Sequence, residues 1–142
     1  MGARPRWCNM SEQVAKAEVV FYEKEKPGMR GGKAGQLILT NNRLVYIKHV
    51  WKHLHAVVKD YTANIEEGLK NKGSLEIPLS QISEAKAERT WGTPYLSVRY
   101  LGGAGEKACS FIFSTKGGAL LAKGPIDELA KKIVSLSKEV QA

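Results

Sequence analysis

The chain alternates apolar and polar residues in short runs that break at turn-forming residues, a pattern typical of β-strands. The clearest pair of runs, 36–40 and 43–48, flanks Asn41-Asn42, and asparagine tolerates the positive φ angles of a two-residue hairpin turn. The predicted cross-strand pairs are Leu39 with Leu44 and Leu37 with Tyr46. Because opposing residues share a face, this hairpin should turn one apolar face toward the core.

Other runs of this kind predict a mainly β domain. They cover residues 17–22, 74–79, 82–90, 95–101 and 107–114. Pro78 cannot donate a ladder hydrogen bond, so its strand is expected at a sheet edge. The last two runs flank a glycine-rich turn and predict a second hairpin, in which Cys109, Phe111 and Phe113 share the core face. Cys109 is therefore predicted to be a small buried hydrophobic residue rather than a reactive thiol.

Two stretches change to the helical spacing of three or four residues. In the first, about 50–72, the apolar positions are Val50, Leu54, Val57, Tyr61, Ile65 and Leu69, with Gly68 and Gly73 marking the expected end. In the second, which begins near Gly124-Pro125, they are Leu129, Ile133, Leu136 and Val140. These patterns predict a helical insertion between the third and fourth strands and a C-terminal helix that caps the core. We expect a single domain over residues 14–142, preceded by a flexible N-terminal tail at 1–13.

The distribution of charge adds a functional expectation to this picture. The 142-residue chain has a formal net charge of +8, and residues 24–72 hold ten basic and four acidic residues, a net of +6. Such a field favours anionic partners, of which phospholipid surfaces and nucleic acids are the main classes. No apolar stretch approaches the roughly 20 residues that a membrane-spanning helix needs. We expect a cytoplasmic protein that can associate peripherally with a membrane.

Two segments resemble motifs of GRAM domains and bacterial pleckstrin-homology-like domains. Residues 35–46 are similar to the G-x-L-x-L-T-N-x-R-L hairpin of those domains, and residues 76–82 to their I-P-L-x-x-I strand. The resemblance covers about residues 14–140. It implies a PH-like barrel of two nearly orthogonal antiparallel sheets, capped by the C-terminal helix. Family members mostly bind membranes, phosphorylated lipids or other proteins, and they share no catalytic residues.

Basic residues on the loop between the first two strands suggest an anion-binding site. The predicted site comprises Lys24, Lys26, Arg30 and Lys33, with Lys48 and Lys52 added if the inserted helix lies alongside. Each basic side chain near an anionic leaflet contributes about 1 kcal/mol, so such a group can hold a protein there weakly and reversibly. The alternative is that these side chains only keep the domain soluble.

A second hypothesis is a protein-interaction or assembly module. Large side chains often anchor interfaces, and the predicted partner-binding residues are Trp51, Leu54, Val58, Tyr61 and Trp91. The competing interpretation is that the amphipathic insertion covers its own core.

Nucleic-acid binding and catalysis are the remaining alternatives. Basic residues interleaved with aromatic ones suit nucleic acid, although no recognised motif is present. His49, His53 and His55 lie close in sequence, but no further ligand pattern completes a zinc site, and they are interpreted as a polar helix edge. The sequence predicts a non-enzymatic binding module without metal or cofactor.

Overall fold

The computed structural model describes residues 12–24, 33–48, 61–90, 93–102, 105–114 and 123–141. The strands are β1 (Val14–Lys24), β2 (Lys33–Thr40), β3 (Arg43–Lys48), β4 (Leu75–Pro78), β5 (Ile82–Thr90), β6 (Thr93–Gly102) and β7 (Gly105–Ser114). The helices are α1 (Ile65–Leu69) and α2 (Lys123–Gln141), and a 3-10 turn, Leu79–Gln81, joins β4 to β5. This order confirms the predicted mainly β fold with a C-terminal helix.

The strands form one antiparallel sheet in the order β4-β3-β2-β1-β7-β6-β5, which corrects the expectation of two separate sheets. The reason is the eleven-residue length of β1, which pairs with β2 along one edge and with β7 along the C-terminal half of the other. The sheet is not closed, because β4 and β5 are not paired. Only three residues separate these two edge strands, and three residues span about 10 Å. The sheet must therefore curl until its edges meet at one corner.

The β2–β3 hairpin has the predicted register, with Leu39 opposite Leu44 and Leu37 opposite Tyr46. All four side chains are buried on the inner face of the curled sheet, as predicted. The turn is fixed by the Thr40 hydroxyl, which accepts hydrogen bonds from the backbone N–H groups of Asn42 at 3.1 Å and Arg43 at 3.0 Å. A side chain that satisfies turn donors in this way stabilises the local bend.

The inner face of the other half of the sheet supplies the rest of the core. Cys109, Phe111 and Phe113 of β7 are at most 1% exposed, which confirms their predicted shared face. Burial raises the pKa of the Cys109 thiol to about 12, so it is protonated at neutral pH and serves as a small apolar side chain.

Helix α2 covers one open end of this core. Its buried residues are Ile126, Leu129, Ala130, Ile133 and Ser137. The Ser137 hydroxyl donates a 2.7 Å hydrogen bond to the Leu79 carbonyl, which anchors the helix to the 3-10 turn. The prediction that Val140 continues the apolar stripe was wrong. Val140 is 42% exposed, because the buried stripe begins one turn earlier, at Ile126.

The outer face of the β2–β3 hairpin carries a second, smaller core. Its buried residues are Ile38, Val45, Ile47 and Ile65, with Ala17, Tyr61 and Leu69 packed around them. Of the predicted insertion helix, residues 49–60 lie outside the described chain, and α1 is only five residues long. Helix α1 ends at Leu69, between Gly68 and Gly73, as predicted, and its last turn contains Gly68. A Cβ atom there would be 2.4 Å from Ile47 Cδ1, so glycine allows α1 to approach the sheet closely.

Arg43, at the start of β3, ties three parts of the chain together. Its guanidinium pairs with Glu12 and Glu66, both at 2.8 Å, and with Glu76 of β4. Gln13 donates its backbone N–H to Asn41 Oδ1 at 2.9 Å. Residues 12 and 13, which the sequence interpretation assigned to the tail, are therefore held against the β2–β3 hairpin. The rest of that segment lies outside the described residues.

Candidate functional site

Three of the strand connections start and finish at the end of the curled sheet that α2 does not cover. Lys24 ends β1 and Lys33 begins β2, and Lys33 lies opposite Tyr22. Lys48 ends β3 two residues beyond Tyr46, which is opposite the first residue of β4. The β6–β7 hairpin also turns toward this end, because Lys24 at the end of β1 is paired with Cys109 and β7 begins four residues before it, at Gly105. We call this the open end.

A cleft of about 1020 Å³ lies at the open end. Its described lining residues are Tyr22, Lys33, Gly73, Ser74, Leu75, Lys86, Glu88, Ser97, Arg99, Tyr100, Glu106, Lys107 and Ala108. We call its aromatic lining residues, Tyr22 and Tyr100, the cleft floor. Six of the other described lining residues are charged, so the cleft combines aromatic and charged surface.

Four lysines at this end make no ion pair with another described residue. These open-end lysines are Lys33, Lys48, Lys72 and Lys107. Three of them are exposed and Lys48 is half-buried. Because no described carboxylate pairs with these four lysines, their ammonium groups are candidates for contact with an anionic partner.

Local hydrogen bonds fix the backbone positions of two of these lysines, Lys48 and Lys72. The Asn71 side-chain amide donates to the Lys48 carbonyl at 3.1 Å, and the Lys48 backbone N–H donates to Ser74 Oγ at 2.9 Å. Lys72 lies within the turn that these two bonds hold against β3. Gly73 follows it with a φ of 95°, a left-handed conformation that glycine adopts readily.

The other cations that line the cleft already have carboxylate partners. Arg99 pairs with Glu106 at 3.4 Å, and Lys86 pairs with Glu84 at 3.2 Å and Glu88 at 2.9 Å. These pairs lie on β5, β6 and β7, whereas the open-end lysines lie at the β2, β3 and β7 ends and in the turn before β4. The unpaired charge is therefore concentrated around the strand ends.

The cleft-lining residue Tyr22 belongs to a group of packed aromatic rings. Tyr22 stacks on Tyr46 with ring centroids 4.7 Å apart, and both contact Phe111. The Tyr46 hydroxyl donates a 2.7 Å hydrogen bond to the Lys33 carbonyl, which fixes the start of β2. Gly35 is needed here, because a Cβ atom would lie 2.5 Å from the Tyr46 ring. Burial raises the pKa of Tyr22 to about 12, so the floor is uncharged at neutral pH.

One solved structure similar to this chain is a "Vps36 N-terminal PH domain". The two share 12% sequence identity, with a TM-score of 0.55 over 91% of this chain and 81% of that one. The fold is PH-like. No family model and no curated protein matches the sequence, so the GRAM resemblance stays with the two motifs that suggested it.

The PH-like fold brings together some of the predicted anion-binding residues. Lys24, Lys33 and Lys48 lie at the open end, as described above, whereas Lys26, Arg30 and Lys52 lie outside the described residues. Sequence reasoning missed Lys72 and Lys107. Lys107 follows the glycine-rich turn of the second hairpin, and only the pairing of β7 with β1 shows that this turn lies near Lys24.

Of the predicted partner-binding residues, the structure describes only Tyr61. It is half-buried, packs in the outer core, and donates its backbone N–H to Gln36 Oε1 at 2.8 Å. Trp51, Leu54, Val58 and Trp91 lie outside the described residues.

Within the described ranges, no group of His, Cys, Asp and Glu side chains has a geometry that could hold a metal ion. The three histidines lie in the part of the chain that is not described. Among the helices that are described, none has the length and apolar character required to cross a bilayer.

Proposed function

We propose that the protein is a non-catalytic binding module of PH-like type, whose open end binds anionic phospholipid surfaces. The observation that carries this proposal is the group of four lysines at the open end without described ion pairs, Lys33, Lys48, Lys72 and Lys107. Two of them, Lys33 and Lys107, line the cleft beside its uncharged floor. The similar PH domain supports the fold that displays them.

The size of the expected effect indicates a weak and reversible association. Each lysine near an anionic leaflet contributes about 1 kcal/mol, so four contribute about 4 kcal/mol, and salt screens the attraction. That energy alone corresponds to a dissociation constant of about 1 mM. In this proposal Lys24, Lys26, Arg30 and Lys52 strengthen the same contact.

The arrangement favours recognition of surface charge over capture of one particular headgroup. The open-end lysines lie at three strand ends and in one turn, and the cleft between them also holds Glu88 and Glu106. A site for a single phosphate would instead bring several donors to one point. We therefore expect binding to follow the density of negative charge in the membrane.

Co-sedimentation with lipid vesicles tests this proposal. The wild-type protein should pellet with vesicles that contain phosphatidylserine, should stay in solution with pure phosphatidylcholine, and should be released by high salt. Replacing Lys33, Lys72 and Lys107 by Glu should weaken binding about a hundredfold, because three contributions of about 1 kcal/mol are lost. Lys48 is left unchanged, since its side chain packs against Gly73.

A matched triple variant keeps the total charge change the same. Replacing Lys131, Lys132 and Lys138 by Glu alters exposed positions on α2, at the capped end, and should leave vesicle binding within about threefold of wild type. Equal losses in the two triple variants would overturn the assignment to the open end. An oligonucleotide that displaces the protein from vesicles at low concentration would favour the nucleic-acid alternative.

A further inference from the structure

The two edges of the sheet are very different in length and protection. Strand β4 is four residues long and ends at Pro78, which has no N–H to offer a new strand. Strand β5 is nine residues long, and no described strand pairs with it on the side away from β6. An unpaired strand of that length is a template for β-pairing with another chain.

A groove runs beside the β5 edge. It has a volume of about 340 Å³ and lies between β5 and α2. Its apolar lining residues are Ala85, Ala130 and Val134, all on surfaces where α2 faces the strand. Alanine is uncommon in strands, and here its small side chain leaves room along the edge. The α2 helix thus packs on β5 without filling the space next to it.

The charge pattern of β5 is complementary to itself about Ala87 and also about Ala85, where Lys86 would face Glu84, but only the first centre uses the whole regular part of the strand. The strand has an irregularity between Ile82 and Glu84, so its regular part runs from residue 84 to residue 90 and is centred on Ala87. Antiparallel pairing of two copies about that centre places Lys86 of each opposite Glu88 of the other. Pairing about Lys86 instead would place lysine opposite lysine and Glu84 opposite Glu88. The sequence therefore favours the register that uses the whole regular stretch.

We propose that the β5 edge is a self-association surface, at which a second copy of this chain pairs antiparallel about Ala87. The contact is isologous, so the same edge serves both copies, and the two sheets become continuous. Two Lys86–Glu88 cross-strand pairs fix the register. This surface does not include the open-end lysines, although Lys86 and Glu88 also line the open-end cleft.

Sedimentation velocity over a wide range of protein concentration tests the proposal. The wild-type protein should form a dimer. Lys86→Glu should raise the dimer dissociation constant about tenfold, because two attractive cross-strand pairs become repulsive. The double variant K86E/E88K restores opposite charges across the two-fold axis and should recover most of that loss. A monomer at every concentration, or a dimer that neither variant changes, would overturn the proposal.

Arg99→Glu is the matched control for this charge reversal. Arg99 lies on β6, its side chain is 54% exposed, and it pairs with Glu106. Since β6 is flanked by β5 and β7, reversing its charge should leave the dimer within about twofold of wild type. A loss equal to that of Lys86→Glu would show that total charge, and not the β5 edge, controls association.

Cysteine cross-linking tests the register itself. In a Cys8→Ser background, Ala87→Cys should form a disulfide-linked dimer on mild oxidation, because directly opposed Cα atoms lie about 4.5–5.5 Å apart and suit a disulfide. Ala85→Cys should not, since residue 85 would face residue 89 of the second copy. Cross-linking at 85 but not at 87, or at neither position in a dimer that sedimentation detects, would show that the chains associate in another way.

Discussion

The two ends of the curled sheet differ in apolar packing and in exposed charge. At the capped end α2 contributes Ile126 and Ile133, both fully buried, and a serine hydroxyl that satisfies backbone carbonyls. At the open end the core stops at the Tyr22–Tyr46 ring stack, and the open-end lysines make no ion pair with any described residue. One end is closed by apolar packing, whereas the other carries lysines that no described carboxylate neutralises.

This difference separates stability from binding. Residues at the capped end and in the ring stack hold the fold together, so their removal should lower the free energy of unfolding. The open-end lysines make no described ion pair, so their removal should change binding alone. The following predictions test this separation from the largest expected effect to the smallest.

Truncation of the ring stack should have the largest effect. Phe111 is fully buried and contacts the rings of Tyr22 and Tyr46. Phe111→Ala leaves a cavity and should lower the free energy of unfolding by about 3–5 kcal/mol, measured by urea denaturation. Ile112→Ala is the neighbouring control, because Ile112 lies on the opposite face of β7 and is only half-buried. Equal losses in the two variants would contradict the placement of the core on the inner face.

Loss of the Ser137 hydroxyl should have an intermediate effect at the capped end. Ser137→Ala removes the hydrogen bond to the Leu79 carbonyl, but that carbonyl still accepts from the Ile82 backbone N–H, so the expected loss is that of one hydrogen bond, about 0.5–1.5 kcal/mol. Ser135→Ala, on the exposed side of the same helix, should cost less than about 0.5 kcal/mol. Thermal unfolding of both variants provides the measurement. If the two shift the midpoint equally, the hydroxyl does not anchor α2.

Alkaline pH should weaken the fold through Cys109. Its pKa is raised by burial from 9.0 to about 12, so the folded state holds the thiol proton more tightly than the unfolded state does. The resulting stability is complete below pH 9 and is lost as the pH rises toward 12. One such group changes the free energy of unfolding by at most about 1.4 kcal/mol per pH unit.

Urea denaturation at several pH values measures this slope. In the Cys109→Ala variant the slope between pH 9 and pH 10 should be smaller than in the wild-type protein, because Tyr22, whose pKa rises from 10.0 to about 12, contributes mainly above that interval. Identical slopes in the two proteins would show that the thiol is not desolvated in the folded state.

The smallest stability effect is expected at the open end. Lys33, Lys72 and Lys107 are exposed and without described ion pairs, so replacing all three by Glu should change the free energy of unfolding by less than about 1 kcal/mol. Circular dichroism during urea unfolding checks this directly. A loss as large as that of Phe111→Ala would mean that the lysines belong to the structure, and the separation of stability from binding would fail.

The sequence predicts the local parts of this architecture well. The register of the β2–β3 hairpin follows from alternation and from Asn41-Asn42, because all partners lie within a few residues of each other. The single sheet was not predictable in this way, since it depends on β1 pairing with β7 far along the chain. The close contact of Gly68 with Ile47 was not predictable for the same reason, because Ile47 lies on another element.

The candidate site was predictable only in part. A cluster of basic residues in the sequence pointed to Lys33 and Lys48, and the strand ends place both at the open end. Lys107 belongs with them only because the second hairpin folds back onto β1, which no local pattern reveals. Lys72 is brought there by two side-chain hydrogen bonds between its turn and the end of β3.

Backbone hydrogen exchange with and without phosphatidylserine vesicles tests the central claim most directly, because it reports which end of the molecule meets the membrane. The account predicts slower exchange at the start of β2, in the turn that contains Lys72 and at the start of β7, with no change along α2. Protection confined to α2, or spread equally over both ends, would contradict it.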